Sequence, residues 1–279
     1  ARHRFSAEFR DWYFLPMMGS IWSCPVDQML RFPVATMIRF CHNHGLIQVA
    51  NRPQWYTVRG GARTYVRKML EAIHDARLDT PVLSVRRLGD GLGVLIATAA
   101  GTERFDEVVM ACHSDQLLAL LSDANADEAA VLGAIRYHRN RAVLHTDTSL
   151  LPTRRLAWAA WNYERAADDS REEAAVCLHY LLNRLQPLPF STPVVVSLNP
   201  AREPRAEMIH AEFDYAHPVF DTAAIAAQHR VPALQGRQHT WFCGAWTRYG
   251  FHEDGLISGL AVVDGLRKSW AIEPLAEAA

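Results

Sequence analysis

The sequence predicts an α/β fold into which a second, antiparallel sheet is inserted. Three observations predict it. Helix-period and strand-period segments alternate through the first 122 residues and again at the C-terminal end. The middle of the chain has another texture, with short β-branched and Trp-containing runs that read as antiparallel strands. The run Glu107-Val108-Val109-Met110-Ala111 is short, apolar and β-branched, as expected of a strand buried on both faces.

The elements follow in order. Residues 14–22 are apolar but carry Pro and Gly breaks. A helix is expected over 33–44, with Val34, Met37, Ile38 and Cys41 on one stripe and Gly45 ending it. A second is expected over 62–76, entered through Gly60-Gly61, with Tyr65, Val66, Met69, Leu70 and Ile73 at helical spacing. Strands are expected over 81–88 and 92–97, joined at Asp90-Gly91, a hairpin signal. Strands over 102–105 and 107–111 follow, and Ser114 is placed as the cap of a Leu-rich helix. Residues 142–146, 157–163 and 193–198 read as strands. Ser170-Arg171-Glu172-Glu173 reads as a capping box opening a helix through Arg184. A strand over 240–243 and a helix over 254–270 close the chain.

Composition excludes several classes. The 279 residues are 49% hydrophobic and 21% charged, which describes a folded chain with a sizeable core. A net charge of -1 supplies no field for nucleic acid or an anionic membrane. No apolar run approaches the ~20 residues of a membrane helix. The five cysteines form no CxxC pair, so no zinc knuckle or disulfide scaffold is expected, and five free thiols suit a reducing, cytoplasmic setting. His42 and His44, two apart beside Cys41, read as ordinary polar histidines, and no metal site is expected. There is no GxSxG or SxxK. Cys112 and His113, adjacent along a strand, face opposite ways. His145 and Asp147 can share a face but lack a nucleophile. Gly89 to Gly93 lies between two strands, so it reads as a hairpin and not a phosphate loop.

The C-terminal segment carries more. An apolar strand ends at Gly244-Ala245, a loop with Gly250 and aromatics follows, and Glu253 and Asp254 open a helix bearing Gly255, Ser258, Gly259 and Ala261. Such glycines let the backbone approach a ligand or another element, and the helix start offers unpaired N–H groups. Together Gly244-Ala245, Gly250-Phe251-His252-Glu253-Asp254-Gly255 and Ser258-Gly259 resemble the C-terminal flavin-binding segment of the flavin-containing amine oxidase superfamily. Val58-Arg59-Gly60-Gly61-Ala62 and Phe105-Asp106-Glu107-Val108-Val109-Met110-Ala111 are similar to two further segments of that superfamily, in the right order. Gln54-Trp55 and His145-Thr146-Asp147 are similar to runs of its bacterial amine-oxidase-like group of NAD/FAD-binding proteins.

The resemblance implies FAD as cofactor and an incomplete FAD-binding Rossmann-like layer with an inserted α+β substrate domain containing the antiparallel sheet. It implies substrate-domain helices at 1–57, part of the FAD-binding domain at 58–122, the substrate domain at 123–236, and the C-terminal FAD-binding segment and helix at 237–279. By matching position, Val82 meets the adenine and Ala111 ends a strand near the cofactor. Gly244 and Ala245 lie near the pyrophosphate and ribityl chain, Phe251 faces the isoalloxazine, and His252 and Glu253 offer N–H groups to the pyrimidine edge. Gly250, Asp254, Gly255 and Ser258 complete the cofactor set. Arg141, His145 and Trp161 are expected on the substrate side. Trp12, Trp22, Trp158 and Trp161, with Phe14, Leu15, Met17 and Met18, read either as cavity lining or as plain core.

Three departures shape the functional expectation. Ala245 stands where the superfamily usually has an acidic or hydroxyl residue. Residues 137–144 contain Arg139 and Arg141 but no Lys, the residue many amine oxidases place near flavin N5. The N-terminal GxGxxG unit that holds the ADP half of FAD is absent. The expectation is a piece of a longer FAD-dependent oxidoreductase, transferring hydride from a small-molecule substrate, hydrophobic or an amine, to the flavin. A sheet edge left open by the missing unit is expected to be covered by a second chain or rearranged. The alternatives are a non-catalytic interaction module that holds no cofactor by itself, or a flavin-dependent isomerase.

Overall fold

The computed structural model describes residues 6–48, 50–51, 53–89, 91–164 and 177–270. Seven helices of seven or more residues are described: α1 (Leu15–Trp22), α2 (Val34–Asn43), α3 (Arg63–Leu70), α4 (Ser114–Leu120), α5 (Ala126–Leu132), α6 (Thr222–Gln228) and α7 (His252–Ser269). Ten strands accompany them: β1 (Val82–Arg87), β2 (Val94–Thr98), β3 (Gly101–Phe105), β4 (Val108–Met110), β5 (Arg136–His145), β6 (Trp161–Glu164), β7 (Cys177–Leu181), β8 (Val195–Leu198), β9 (Ile209–Val219) and β10 (Thr240–Phe242). The chain divides into two compact units, residues 1–76 with 138–217, and residues 77–137 with 218–279.

The first unit contains α1 to α3 and most of a five-stranded sheet in the order β6-β7-β8-β5-β9. This is the inserted antiparallel sheet: β6 with β7, β7 with β8, and β8 with β5 all pair antiparallel. Leu15, Met18 and Trp22 of α1 are buried with Met37 and Phe40 of α2, so these apolar residues form core. Trp12 is exposed, Trp161 is half-exposed on the edge strand β6, and Trp158 packs on Leu151, Leu181 and Val195. The stripe Tyr65, Val66, Met69 and Leu70 does form a helix, α3, but an eight-residue one whose apolar face is exposed, as is Ile73 beyond it.

The second unit holds an antiparallel meander, β1-β2-β3, and a parallel pair, β4 with β10. The expected hairpin joins β1 to β2; Gly93 at its base has φ +82, and a Cβ there would meet the Phe105 carbonyl. Asp90, of the turn itself, lies outside the described residues. The core gathers Val85, Met110, Leu117, Val131, Leu132, Ile135, Ala224 and Phe242.

Several expectations are corrected. The capping box at Ser170 to Glu173 lies outside the described residues, but 177–181 is strand β7 and only Leu182–Leu185 is helical. The local pattern loses to non-local pairing: β7 lies between β6 and β8 and is buried on both faces. Val109 of β4 is 44% exposed, not buried on both sides. The cap of α4 is His113; Ser114 is its first residue, fully buried, with its N–H donating to Tyr137 Oη at 2.9 Å. Strand β6 begins at Trp161, after a single helical turn at Arg155–Ala157. Strand β9 and helices α1, α5 and α6 were not among the expected elements, although Asn125 and Glu128 form a capping box at the start of α5 and Asp221 caps α6.

Candidate functional site

The C-terminal segment forms one strand-loop-helix unit. In the β4–β10 pair, Thr240, Trp241 and Phe242 align with Val108, Val109 and Met110, and the Cys243 N–H donates to the Met110 carbonyl at 3.1 Å. The outer edge of β10 is closed by a side chain: Gln235 accepts from the Phe242 N–H at 2.9 Å and donates to its carbonyl at 2.7 Å. The far edge of β4 has no strand beside it among the described residues.

Beyond β10 the backbone turns at Gly244, with φ +149. A Cβ at Gly244 would lie 2.5 Å from Trp246 Nε1, so only glycine fits under this ring. Trp246 Nε1 donates to the Cys112 carbonyl at 3.1 Å and so ties the loop after β10 to the loop after β4. The Gly244 N–H donates to Ser258 Oγ at 2.9 Å, and that hydroxyl donates to the Gly255 carbonyl at 2.7 Å. Ser258 therefore fastens α7 to the end of β10. Gly250, at φ +93, returns its N–H to the Ala245 carbonyl at 3.1 Å.

Helix α7 starts at His252. Phe251 N–H donates to Asp254 Oδ2 at 3.0 Å, and the Arg248 guanidinium lies 3.4 Å from Oδ1 of the same carboxylate. The cap residue, Phe251, has no side-chain acceptor to offer the first-turn amides. An 18-residue helix thus begins with its N–H groups uncapped and with Glu253 and Asp254 beside them.

The structure brings together Gly244, Ala245, Gly250, Phe251, His252, Glu253, Asp254, Gly255 and Ser258. Ala111 follows β4 directly. Val82 stands apart, opening β1 in the other sheet of the unit. What sequence reasoning missed here is the cross-ties. Trp246, Gln235 and Gln228 each close a backbone group from a distance, and no local pattern marks them.

The residues expected on the substrate side lie in the first unit. Arg141 on β5 is held by two carboxylates, Glu212 at 2.9 Å and Glu203 at 2.8 Å, which push its proton affinity up. Trp161 meets Tyr180 edge-to-face at 5.5 Å. His145 is wholly buried: its Nδ1 accepts from the Asp147 N–H at 3.1 Å and its Nε2 donates to Ser197 Oγ at 2.6 Å. Burial, then the neighbouring His179, lowers its affinity for a further proton. Both ring nitrogens are engaged, so His145 supports the sheet interior.

A comparison with curated protein sequences finds no match. Among solved structures the chain is similar to cyclohexylamine oxidase from Brevibacterium oxydans IH-35A, at 13% identity and TM-score 0.63, over 97% of this chain and 66% of that one. It is similar to a reduced UDP-galactopyranose mutase, at 13% identity and TM-score 0.60, over 95% of this chain and 66% of that one. It is also similar to a CLA-producing fatty acid isomerase from P. acnes, at 15% identity and TM-score 0.53, over 73% of this chain and 52% of that one. The chain spans between half and two thirds of the length of these structures, and the likeness is one of fold. The model of the flavin-containing amine oxidoreductase family matches residues 3–171, more than half of the sequence. With an α/β layer, an inserted antiparallel sheet and that match, the chain belongs to the flavin-containing amine oxidoreductase family.

Proposed function

We propose that this chain is part of an FAD-dependent oxidoreductase that takes a hydride from a small-molecule substrate, hydrophobic or an amine. The observation that carries the reading is the parallel β4–β10 pair running into Gly244 and the uncapped start of α7. The residues present fit the flavin end of FAD. Uncapped amides beside two carboxylates suit a neutral acceptor, such as a ring carbonyl, better than a phosphate, because Glu253 and Asp254 already occupy the positive end of the helix dipole. When bound, FAD supplies the hydride acceptor at its N5 atom.

The chain's own residues bind and orient. With FAD bound, His252 and Glu253 would offer backbone N–H groups to the flavin, and Phe251 would offer it an apolar side chain. Gly244, Ala245 and Gly250 would give the cofactor room beside the backbone, with Ala111 at the neighbouring strand end, and Val82 is proposed to meet the adenine. Asp254, Gly255 and Ser258 hold that loop in shape. Residues 58–122 and 237–279 act as the cofactor side. Residues 1–57 and 123–236 act as the substrate side, with Arg141 and Trp161 at its surface and His145 supporting from within. The ADP half requires a GxGxxG unit that this sequence lacks, and the unpaired edge of β4 is where a further strand would add. A cytoplasmic setting suits the five free cysteines. Among the described residues no helix is long and apolar enough to cross a membrane.

The test is an FAD titration, followed by flavin fluorescence and absorbance, on this chain and on the chain joined to an upstream dinucleotide-binding unit. Stoichiometric binding by the joined form, lost in Gly244→Val, is expected. Binding by neither form overturns the reading in favour of an interaction module. Bound flavin that turns substrate over without consuming an electron acceptor would make the protein an isomerase.

A further inference from the structure

Glu164 ends β6 and Cys177 opens β7, and the two residues are directly opposed in the antiparallel register. His179 lies two residues beyond Cys177, hence on the same face of β7. Three different donor types therefore converge. Cys177 Sγ is 3.6 Å from His179 Nε2 and 4.0 Å from Glu164 Oε2, and His179 Nε2 is 2.9 Å from Glu164 Oε2. A tetrahedral zinc ion, with about 2.3 Å to sulfur and about 2.0–2.2 Å to nitrogen and oxygen, sets such atoms roughly 3.4–3.6 Å apart. The observed triangle reaches that geometry with shifts of a few tenths of an ångström. Among the described residues this is the one group of three or more His, Cys, Asp and Glu side chains with ligand atoms so close.

We infer that Cys177, His179 and Glu164 form a binding site for a zinc-like divalent cation, with a fourth position left for water. The surroundings are those of a built site. Arg202 Nε donates to Glu164 Oε1 at 3.0 Å, which leaves Oε2 facing the other two ligands. The Ala201 N–H donates to Cys177 Sγ at 3.4 Å, a contact that favours the thiolate against the burial that, without metal, pushes the thiol up to about 11. His179 Nδ1 meets Ser197 Oγ at 2.6 Å, and His145 Nε2 meets the same hydroxyl at 2.6 Å. This chain orients the His179 ring from behind. Cys177 and His179 are buried, while the Glu164 side chain is 24% exposed.

The proton balance is definite. Without metal, the Asp147 amide fixes His145 as the Nε2–H tautomer; the Ser197 hydroxyl then donates to His179 Nδ1, and His179 Nε2–H donates to Glu164. Metal binding requires the His179 proton on Nδ1, where Ser197 Oγ accepts it, so the Ser197 hydroxyl turns its own proton away from that nitrogen, and the Cys177 thiol proton is released to solvent. The sulfur, nitrogen and oxygen donor set favours zinc over magnesium or calcium.

The experiment is a titration of the full chain with Co(II), read by absorbance. One equivalent should develop a thiolate-to-cobalt charge-transfer band in the near ultraviolet, and Zn(II) should displace it. Cys177→Ser should lose the band while its far-ultraviolet circular dichroism is retained. Glu164→Gln should keep the band but weaken Zn(II) binding by at least the roughly 10–100-fold that a lost supporting partner costs. No band in the wild-type chain, or a band that persists in Cys177→Ser, overturns the assignment. Should Cys177→Ser not fold, X-ray absorption of the zinc-loaded wild type decides: one sulfur with nitrogen and oxygen neighbours upholds the site, and any other sulfur count overturns it.

Discussion

Arg87 is a buried cation, its side chain only 2% exposed, and two carboxylates make that possible. Its guanidinium pairs with Glu128, itself buried, and with Asp123 at 3.0 Å, while Glu128 also accepts from the N–H of Asn125, the cap residue of α5. Removing one partner strands the others in a low-dielectric setting, so Arg87→Ala should cost about 3–5 kcal/mol. A urea-denaturation midpoint measures it. The double change of Arg87→Met with Glu128→Leu should cost far less, because neither charge is then left alone. Asp147 supplies the pH dependence. Burial works to raise its carboxyl, but bonds from Arg205 and the Arg205 and Ser149 amides prevail and hold it well below its ordinary 3.8. A folded-state value below the unfolded one adds stability above the ordinary value, and that stability disappears as pH falls through and beneath it. Melting temperature should begin to fall on this account only as the pH drops below that ordinary value, keep falling beneath it, and fall less in Asp147→Asn.

Helix α7 separates two glycines that look alike in sequence. A Cβ at Gly265 would lie 2.4 Å from the Trp241 ring, whereas one at Gly259 would meet nothing within 4 Å. Gly265→Ala should destabilise the second unit by about 1–3 kcal/mol through overpacking. Gly259→Ala should stabilise it by about 0.4–1 kcal/mol by restricting the unfolded chain. Thermal unfolding of the pair checks both signs. Strand β7 makes the reverse point. Residues 174–182 carry enough apolar and helix-compatible residues to read as helix, and local propensity favours it. Pairing on both sides, to β6 and β8, converts 177–181 to strand. That change of element alters chemistry: on a helix Cys177 and His179 would point to opposite sides, on a strand they share one.

At the scale of the whole chain, each of the two units leaves a surface uncovered. The β4 edge has no strand beside it among the described residues, the apolar face of α3 is exposed, and so are Leu256, Leu260 and Val263 of α7. The solved relatives are longer than this chain. Joining an upstream dinucleotide-binding unit should therefore lower the binding of a hydrophobic dye, and FAD should raise the melting temperature of the joined form more than that of this chain alone. Equal dye binding by both forms would mean that these faces have another role.

Much of this was readable in advance where the cause is local. Strand β1, the hairpin to β2, β10, α2 and α7 all follow from periodicity, turn residues and caps, because those forces act within a few residues. The Gly244 to Ser258 segment was legible as a candidate site for the same reason: its glycines, helix start and aromatics are contiguous. The Gln235 plug on β10, the Trp246 tie to Cys112, the Arg87 cluster and the Glu164, Cys177 and His179 triangle were not. Each joins groups whose neighbours are chosen by strand register or packing between distant segments. The sequence by itself determined the class of fold and marked the contiguous segment that forms the candidate site, since backbone preference is written residue by residue. Only the tertiary structure decided which side chains meet, since a hydrogen bond or a ligand triangle depends on ångström distances that sheet pairing alone sets.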